Sequence, residues 1–378
     1  MNKPKCIGIL GGGQLARMSA FAAKRMGFDI AILEKEPGSP AGSLAAFEFT
    51  GSPSNKKLLK KFASVCDVIT LENEFIDSRL LKYIESLGKK VFPSSHTISL
   101  IQDKLIQKET LKKNNIPLPK FIEVDHKRDF ESVVKYLTLP FVLKSRKMGY
   151  DGYGNALVKN RKEFLLAFDK LTHRHSKLLA EEFVDFTMEL AVMVARTKKE
   201  IAVYPVVETI QKNHICHTVI APAKLSKAII SKARNIALNS VKAVTGFGLY
   251  GIEMFYTSSG KLLVNEMAPR PHNSGHYTIE ACVTSQFENH IRSVLSLPLG
   301  SAEMVKPSAV MINLLGKING PGVVRNYSKA LGDPNTHLHV YGKKLSRVGR
   351  KMGHITVVGN DQKKILSEAK KAEKNIII

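Results

Sequence analysis

Between residues 5 and 98 short apolar runs alternate with helical stretches, and that alternation leaves few folds open. The runs CIGIL, IAILE, VITLE and KVFPS are separated by segments such as QLARMSAFAAKRMG and RLLKYIESLG. Such alternation predicts a parallel sheet flanked by helices. The next stretch, TISLIQDKLIQKETLKK at 97–113, carries Ile98, Ile101 and Leu105 at helical spacing and ends at the turn cluster NNIPLP, so a helix is expected there. A domain boundary is placed near residue 98.

From 120 to about 295 the runs FIEV, PFVLKS, LLAEEFV, MELAVMVAR, IAVYPVV, YGIEMFY and KLLVNEM read as strands, with helices near 159–173, 226–245 and 276–296. Short turns between neighbouring strands point to antiparallel pairing and an α+β domain over 99–298. Residues 299–378 offer SAVMINLLG, HLHVYG and RKMGHITVVG and then a Lys-rich helix, a small β-rich module. A chain of 378 residues is long enough for two or three such units.

Composition narrows the function classes. Hydrophobic residues at 44% and charged residues at 24% exclude a disordered or fibrous chain. No apolar stretch reaches the length of a membrane span, and CIGIL runs into GGGQ too soon for a signal-peptide core, so a soluble cytoplasmic protein without a membrane partner is expected. The net charge of +24 is spread along the whole chain and densest at the C-terminal end. That spread suits a solvated surface and anionic small substrates better than a nucleic-acid face, and no nucleic-acid partner is expected. Cys6, Cys66, Cys216 and Cys282 lie far apart without a CxxC pair, against both a zinc site and a disulfide framework.

The most informative residues are Glu253 and Glu266 in YGIEMFYTSSGKLLVNEM. If SSGK is a four-residue connection, Thr257 pairs with Leu262, Phe255 lies beside Val264, and Glu253 falls opposite Glu266 on one face. Like charges so placed repel and raise one pKa unless a cation lies between them. Carboxylates together with a phosphate-rich ligand suit magnesium, hence a nucleoside triphosphate with bound metal. A solvated hairpin, or a register slip that separates the acids, is the alternative. NEMAPRPHNSGH follows directly and brings Arg270 to the edge of that site, where a guanidinium can neutralise charge on a transferring phosphoryl group. His272 and His276 suit proton transfer or plain hydrogen bonding.

Other motifs are less specific. GILGGGQLA fits a dinucleotide fingerprint with Gly11, Gly13 and Ala16, and Glu34 ends the next strand, but any phosphate ligand, or merely a tight turn, uses such glycines equally. Lys144 shares a strand face with Val142, and GYDGYG at 149–154 follows it, either a mobile flap over phosphates or a glycine-rich turn. The acids of LLAEEFV and Glu189 suit an adenine amine and ribose hydroxyls, or solvent. RVGRKMGH places Arg347, Arg350, Lys351 and His354 around two glycines, which suits a phosphate monoester or a basic surface turn.

Together, GILGGGQLARM, GYDGYG, EEFV, NEMAPRPHNSGH and SRVGRKMGH resemble, in that order and nearly end to end, the ATP-grasp superfamily and within it the 5-(carboxyamino)imidazole ribonucleotide synthetases of purine biosynthesis. The resemblance implies a nucleotide-free Rossmann-like first domain, an ATP-grasp domain, a small C-terminal domain and a homodimer. It implies that ATP phosphorylates bicarbonate to carboxyphosphate, and that the exocyclic amine of 5-aminoimidazole ribonucleotide is carboxylated by it or by carbon dioxide released from it. Lys104, Lys144, the loop Gly149, Tyr150, Asp151, Gly152, Tyr153, Gly154 and Asn155, then Glu181, Glu182, Phe183, Val184, Glu189, Gln211, Asn265 and Glu266 are the implied ATP contacts. Glu253 and Glu266 are the implied ligands of one or two magnesium ions, for which manganese substitutes. Gln14, Glu74, Tyr150, Asp151, Asn273, Ser274, His276, Arg347, Arg350 and Lys351 would surround the ribonucleotide, with Arg270, His276, Asp151 and Lys351 in the chemistry.

The chain departs from the family pattern where Tyr153 and Lys104 replace arginines and where ETIQ, with Thr209 and Gln211, replaces an ENxH stretch. A phenol does not copy a planar guanidinium fork. A sister ATP-grasp ligase such as formate-dependent glycinamide ribonucleotide transformylase, a nicotinamide oxidoreductase and a nucleic-acid-binding protein are the rival expectations.

Overall fold

The computed structural model describes residues 5–149, 154–173 and 177–378. The first segment builds a five-stranded parallel sheet in the order Phe47–Thr50, Asp29–Glu34, Cys6–Leu10, Val68–Leu71, Lys90–Val91. Its central strands are buried end to end because helices cover both faces, as the unbroken apolar runs require.

The expected helix over 97–113 is two helices, Ser95–Ile101 and Lys104–Lys113. The break falls at Asp103, whose carboxylate accepts from the N–H groups of Leu105 and Ile106 and also receives the Arg146 guanidinium at 2.9 Å. An aspartate that caps a new helix ends the old one.

The strands read between 120 and 295 divide between two antiparallel sheets. A four-stranded sheet runs Phe121–Val124, Leu178–Glu182, Phe141–Ser145, Asn155–Val158. A nine-stranded sheet begins Leu262–Ala268, Gly248–Thr257, Phe186–Arg196, Val207–Lys212, Ile215–Ala221. It continues through Ser308–Leu315, Lys351–Gly359 and Thr336–Val340, with the ninth strand, Ile201–Val203, paired to Phe186–Arg196 off this path, so the C-terminal strands extend the central sheet through the Ile215–Ala221 to Ser308–Leu315 pairing.

The two faces of this sheet differ as strand alternation requires. Leu190, Val192, Val194, Ile252 and Met254 pack with Ile236, Ala237 and Val241 of helix Lys227–Ala243. Glu189 and Glu253 lie on the opposite face, where Ala191 pairs with Glu253. The helix thus buries one apolar face, while on the other Glu189 and Glu253 lie beside a second apolar cluster that includes Ala191, Met193 and Leu249.

Helix Gln286–Val294 packs against the first-domain helix Gln14–Arg25, and there His290 Nε2 meets Thr70 Oγ1 at 3.1 Å. Burial pushes the His290 imidazole down to about 4. A histidine that folds as the neutral form contributes stability fully present above its unfolded pKa near 6.5 and lost as the pH falls toward 4. Replacing His290 by methionine should therefore shrink the stability difference between pH 7 and pH 4.5 by about 2 to 3 kcal/mol. Denaturant titrations at the two pH values measure this, and an unchanged difference would contradict it.

Candidate active site

The hairpin carrying Glu253 and Glu266 brings them opposite each other, but not through the expected register. Tyr256, not Thr257, pairs with Leu262, and Phe255 lies opposite Leu263 rather than Val264. The connection is the five residues Thr257–Lys261, closed by Thr257 N–H donating to Lys261 O at 3.0 Å, with Gly260 at φ +75°. A β-bulge at Asn265 then absorbs the extra residue, so that Glu253 again faces Glu266.

Lys104, the first residue of its helix, places Nζ 2.5 Å from Glu266 Oε2, and His272 Nε2 lies 3.5 Å from Glu253 Oε1. Burial first, then the charges of Glu266 and Glu189, push the Glu253 carboxyl up to about 7. The pair thus carries more negative charge than its neighbours neutralise.

Beneath it lies a second network centred on the buried Glu181 and Lys108. Lys144 Nζ is 2.7 Å from Glu181 Oε1 and 3.3 Å from Asn265 Oδ1. Lys108 Nζ is 2.5 Å from Glu181 Oε2 and donates to Asn265 O at 3.2 Å. Burial alone would raise the Glu181 carboxyl, yet Lys108 and then Lys144 hold it down at about 2. Lys108 was not among the expected residues, although its i, i+4 spacing from Lys104 puts both on one helical face. Phe183 and Val184 belong to the short link between the two sheets, and Glu182 Oε2 accepts from Lys120 N–H at 3.0 Å. Glu189 hydrogen-bonds the Gln211 side chain across the neighbouring strand. Asn155 pairs with Lys144 across adjacent strands; Tyr150, Asp151, Gly152 and Tyr153 lie outside the described residues, between Gly149 and Gly154 in the sequence.

The same site reaches the first domain through Arg270. Its guanidinium forks onto Glu74, Nη2 to Oε1 at 3.0 Å and Nε to Oε2. A cleft lined by Glu74, Phe75, Lys104, Arg146, Gly149 and Glu266 runs between them. Ser274 Oγ meets His272 Nδ1 at 2.8 Å, whereas the Asn273 amide is taken by Asn313. The charge of Lys351 is felt at Glu253 and His272, and burial holds the His272 imidazole at about 3. Arg347 is exposed, and Arg350 donates back to Leu345 O at 2.7 Å. Lys343, also unforeseen, donates to Lys351 O at 2.7 Å, and its charge is felt at Glu72.

Gln14 opens the first helix beside the glycine loop. There the dinucleotide expectation fails. Gly12 N–H donates to Glu34 Oε2 at 2.7 Å and Gly13 N–H to Glu72 Oε2 at 2.8 Å. Two of the protein's own carboxylates occupy the amide cradle, and a pyrophosphate placed there would meet like charge.

Three family models match the chain in succession: a ribonucleotide synthetase preATP-grasp domain over 4–102, an ATP-grasp domain over 109–287, and a phosphoribosylaminoimidazole carboxylase C-terminal domain over 309–368. The N5-carboxyaminoimidazole ribonucleotide synthase of Bacillus subtilis is 37% identical over 364 residues, covering 96% of this chain and 93% of that one. The chain belongs to the N5-carboxyaminoimidazole ribonucleotide synthase family. A structure of the Aspergillus clavatus N5-carboxyaminoimidazole synthase, in complex with ADP and 5-aminoimidazole ribonucleotide, superposes with a TM-score of 0.89 at 36% identity over 98% of both chains. The phosphoribosylaminoimidazole carboxylase of Ogataea methanolica is 44% identical over 93% of this chain, which spans 66% of that protein's length.

Proposed function

We propose that the chain carboxylates the exocyclic amine of 5-aminoimidazole ribonucleotide with ATP and bicarbonate, yielding 5-(carboxyamino)imidazole ribonucleotide, ADP and phosphate. A bicarbonate oxygen attacks the γ-phosphorus and ADP leaves. The amine nitrogen then attacks the carbonyl carbon, directly or as carbon dioxide, loses a proton, and phosphate departs with the electrons of the broken C–O bond. The observation that carries this reading is the register pairing of Glu253 with Glu266 beside Lys104, with Arg270 and Glu74 joining that pair to the first domain.

Magnesium fits the same pair. An acid pushed up to about 7 by burial and then by a facing carboxylate marks a place short of positive charge. Two protein carboxylates, with phosphate and water completing the shell, suit magnesium, and manganese accepts the same donors. Bound there, the ion would neutralise phosphate charge. Lys144 and Lys104 hold the phosphates of ATP, and Arg270 steadies the charge on the phosphoryl group in transit. Glu189, Gln211, Glu181, Glu182, Phe183, Val184 and the 149–155 loop enclose the rest of the nucleotide. Gln14, Glu74, Ser274, Arg347, Arg350 and Lys351 take the ribonucleotide.

The protein works on this reading as a cytoplasmic homodimer divided near residues 98 and 298. Among the described residues no helix is long and apolar enough to cross a membrane.

Purified protein should release ADP only when magnesium, bicarbonate and 5-aminoimidazole ribonucleotide are supplied together. A coupled ADP assay with each component omitted in turn measures it. Turnover with formate and glycinamide ribonucleotide instead would move the chain to the sister reaction.

A further inference from the structure

Gln286 carries no signal in the sequence, yet it organises the loop that ends the site. It is completely buried at the start of helix Gln286–Val294, and its amide makes three contacts within the APRPHNSGH segment. Oε1 accepts from His272 N–H at 3.0 Å, Nε2 donates to His272 O at 2.7 Å, and Nε2 lies 3.1 Å from His276 Nδ1. A backbone N–H only donates and a carbonyl only accepts, so His272 decides which end of the amide is oxygen. The nitrogen therefore donates its second hydrogen to His276 Nδ1, which must be the unprotonated ring nitrogen. A neutral imidazole carries one proton, and here it belongs on Nε2.

The neighbourhood is built around that amide. A Cβ added to Gly275 would lie 2.5 Å from Gln286 Oε1 and 2.6 Å from its Cδ. Thr278 Oγ1 accepts from Gln286 N–H at 2.9 Å and donates to Gly275 O at 2.6 Å. The His276 ring is wholly buried against Phe287 and His354, with centroids 5.4 and 5.0 Å away, and lies in the field of Lys351 and Arg270. Its Nε2 is buried and has no hydrogen-bond partner among the described residues. A buried donor without a partner calls for an acceptor beyond the described residues, which a bound ligand can supply.

We infer that Gln286 is a positioning residue that fixes His276 as an Nε2–H donor, and that His276 donates this hydrogen bond to an acceptor on the ribonucleotide instead of taking a proton from it. The ribonucleotide half of this inference rests on the proposed function; the tautomer half does not. Glutamate at 286 would reverse the arrangement, because a carboxylate accepts from Nδ1–H and leaves Nε2 bare.

Nitrogen-15 NMR of the full-length protein labelled at histidine separates the two ring nitrogens, with His276 identified by the signal lost in His276→Gln. In the unmodified protein His276 should show a bare Nδ1 and a protonated Nε2, and in Gln286→Glu the proton should move to Nδ1. The KM for the ribonucleotide should then rise about tenfold or more while the KM for ATP stays within about twofold. Gly275→Ala, which displaces the amide, should raise the same KM. A proton on Nδ1 in the unmodified protein overturns the inference even if Gln286→Glu does not fold. So does an unchanged tautomer in Gln286→Glu, or a moved proton with an unchanged KM. Absence of any turnover with the ribonucleotide, with the tautomer as described, would count against the proposed function and leave the role of Gln286 standing.

Discussion

Glutamine in place of Glu266 should cut ADP release by roughly 10³-fold while the protein stays folded. The side chain is only half-buried, at the mouth of the site, so its loss opens no cavity. Glu253 and Glu266 repel each other, and removing one charge lets the Glu253 carboxyl fall back from about 7. Lys104 loses its 2.5 Å partner, a cost that this relief offsets. What disappears is half of the anionic pair proposed to hold the cation of the nucleotide. The ADP assay beside a thermal melt separates the two effects. An unchanged rate in a folded variant would remove Glu266 from the chemistry.

The second large effect falls on stability. Glu181→Gln should lower the unfolding free energy by about 3 to 5 kcal/mol, because it leaves Lys108 and Lys144 buried without their shared counter-ion. A buried pair adds little over an apolar substitute, whereas breaking it strands a charge. Combining Glu181→Gln with Lys108→Met should therefore recover part of the loss. The same carboxylate, held at about 2, contributes stability present above its unfolded pKa near 4.5 and lost as the pH falls toward 2. Urea titrations of the single and double variants read all of this, and a loss under about 1 kcal/mol for Glu181→Gln would contradict it.

The sequence was most legible where one periodicity decides the answer. Unbroken apolar runs marked the parallel sheet, because only strands covered on both faces tolerate them. The facing of Glu253 and Glu266 came out right for an incomplete reason. A turn one residue longer and a bulge at Asn265 shift the register in opposite senses, and neither is visible in a residue count. That bulge also lets Asn265 meet both Lys108 and Lys144.

Elsewhere local signals stood for something else. The glycine loop satisfies a phosphate-binding pattern, but Glu34 and Glu72 fill it, and Glu72 arrives from a strand too distant in sequence to be read. Asp103 looked like one more helical residue until Arg146, contributed by the four-stranded sheet, gave its carboxylate a partner. Gln286 was invisible because its meaning lies in the backbone of His272 and in the missing side chain of Gly275, whose place its amide fills.

On the proposed reaction, this chain joins phosphate to bicarbonate before carbon reaches the amine. Turnover of magnesium, ATP and 5-aminoimidazole ribonucleotide with oxygen-18 bicarbonate, followed by mass analysis of the released phosphate, tests it directly. One labelled oxygen per phosphate is the expected result, since the oxygen that attacked phosphorus leaves with it. Phosphate carrying only solvent or ATP oxygen would rule out a carboxyphosphate intermediate.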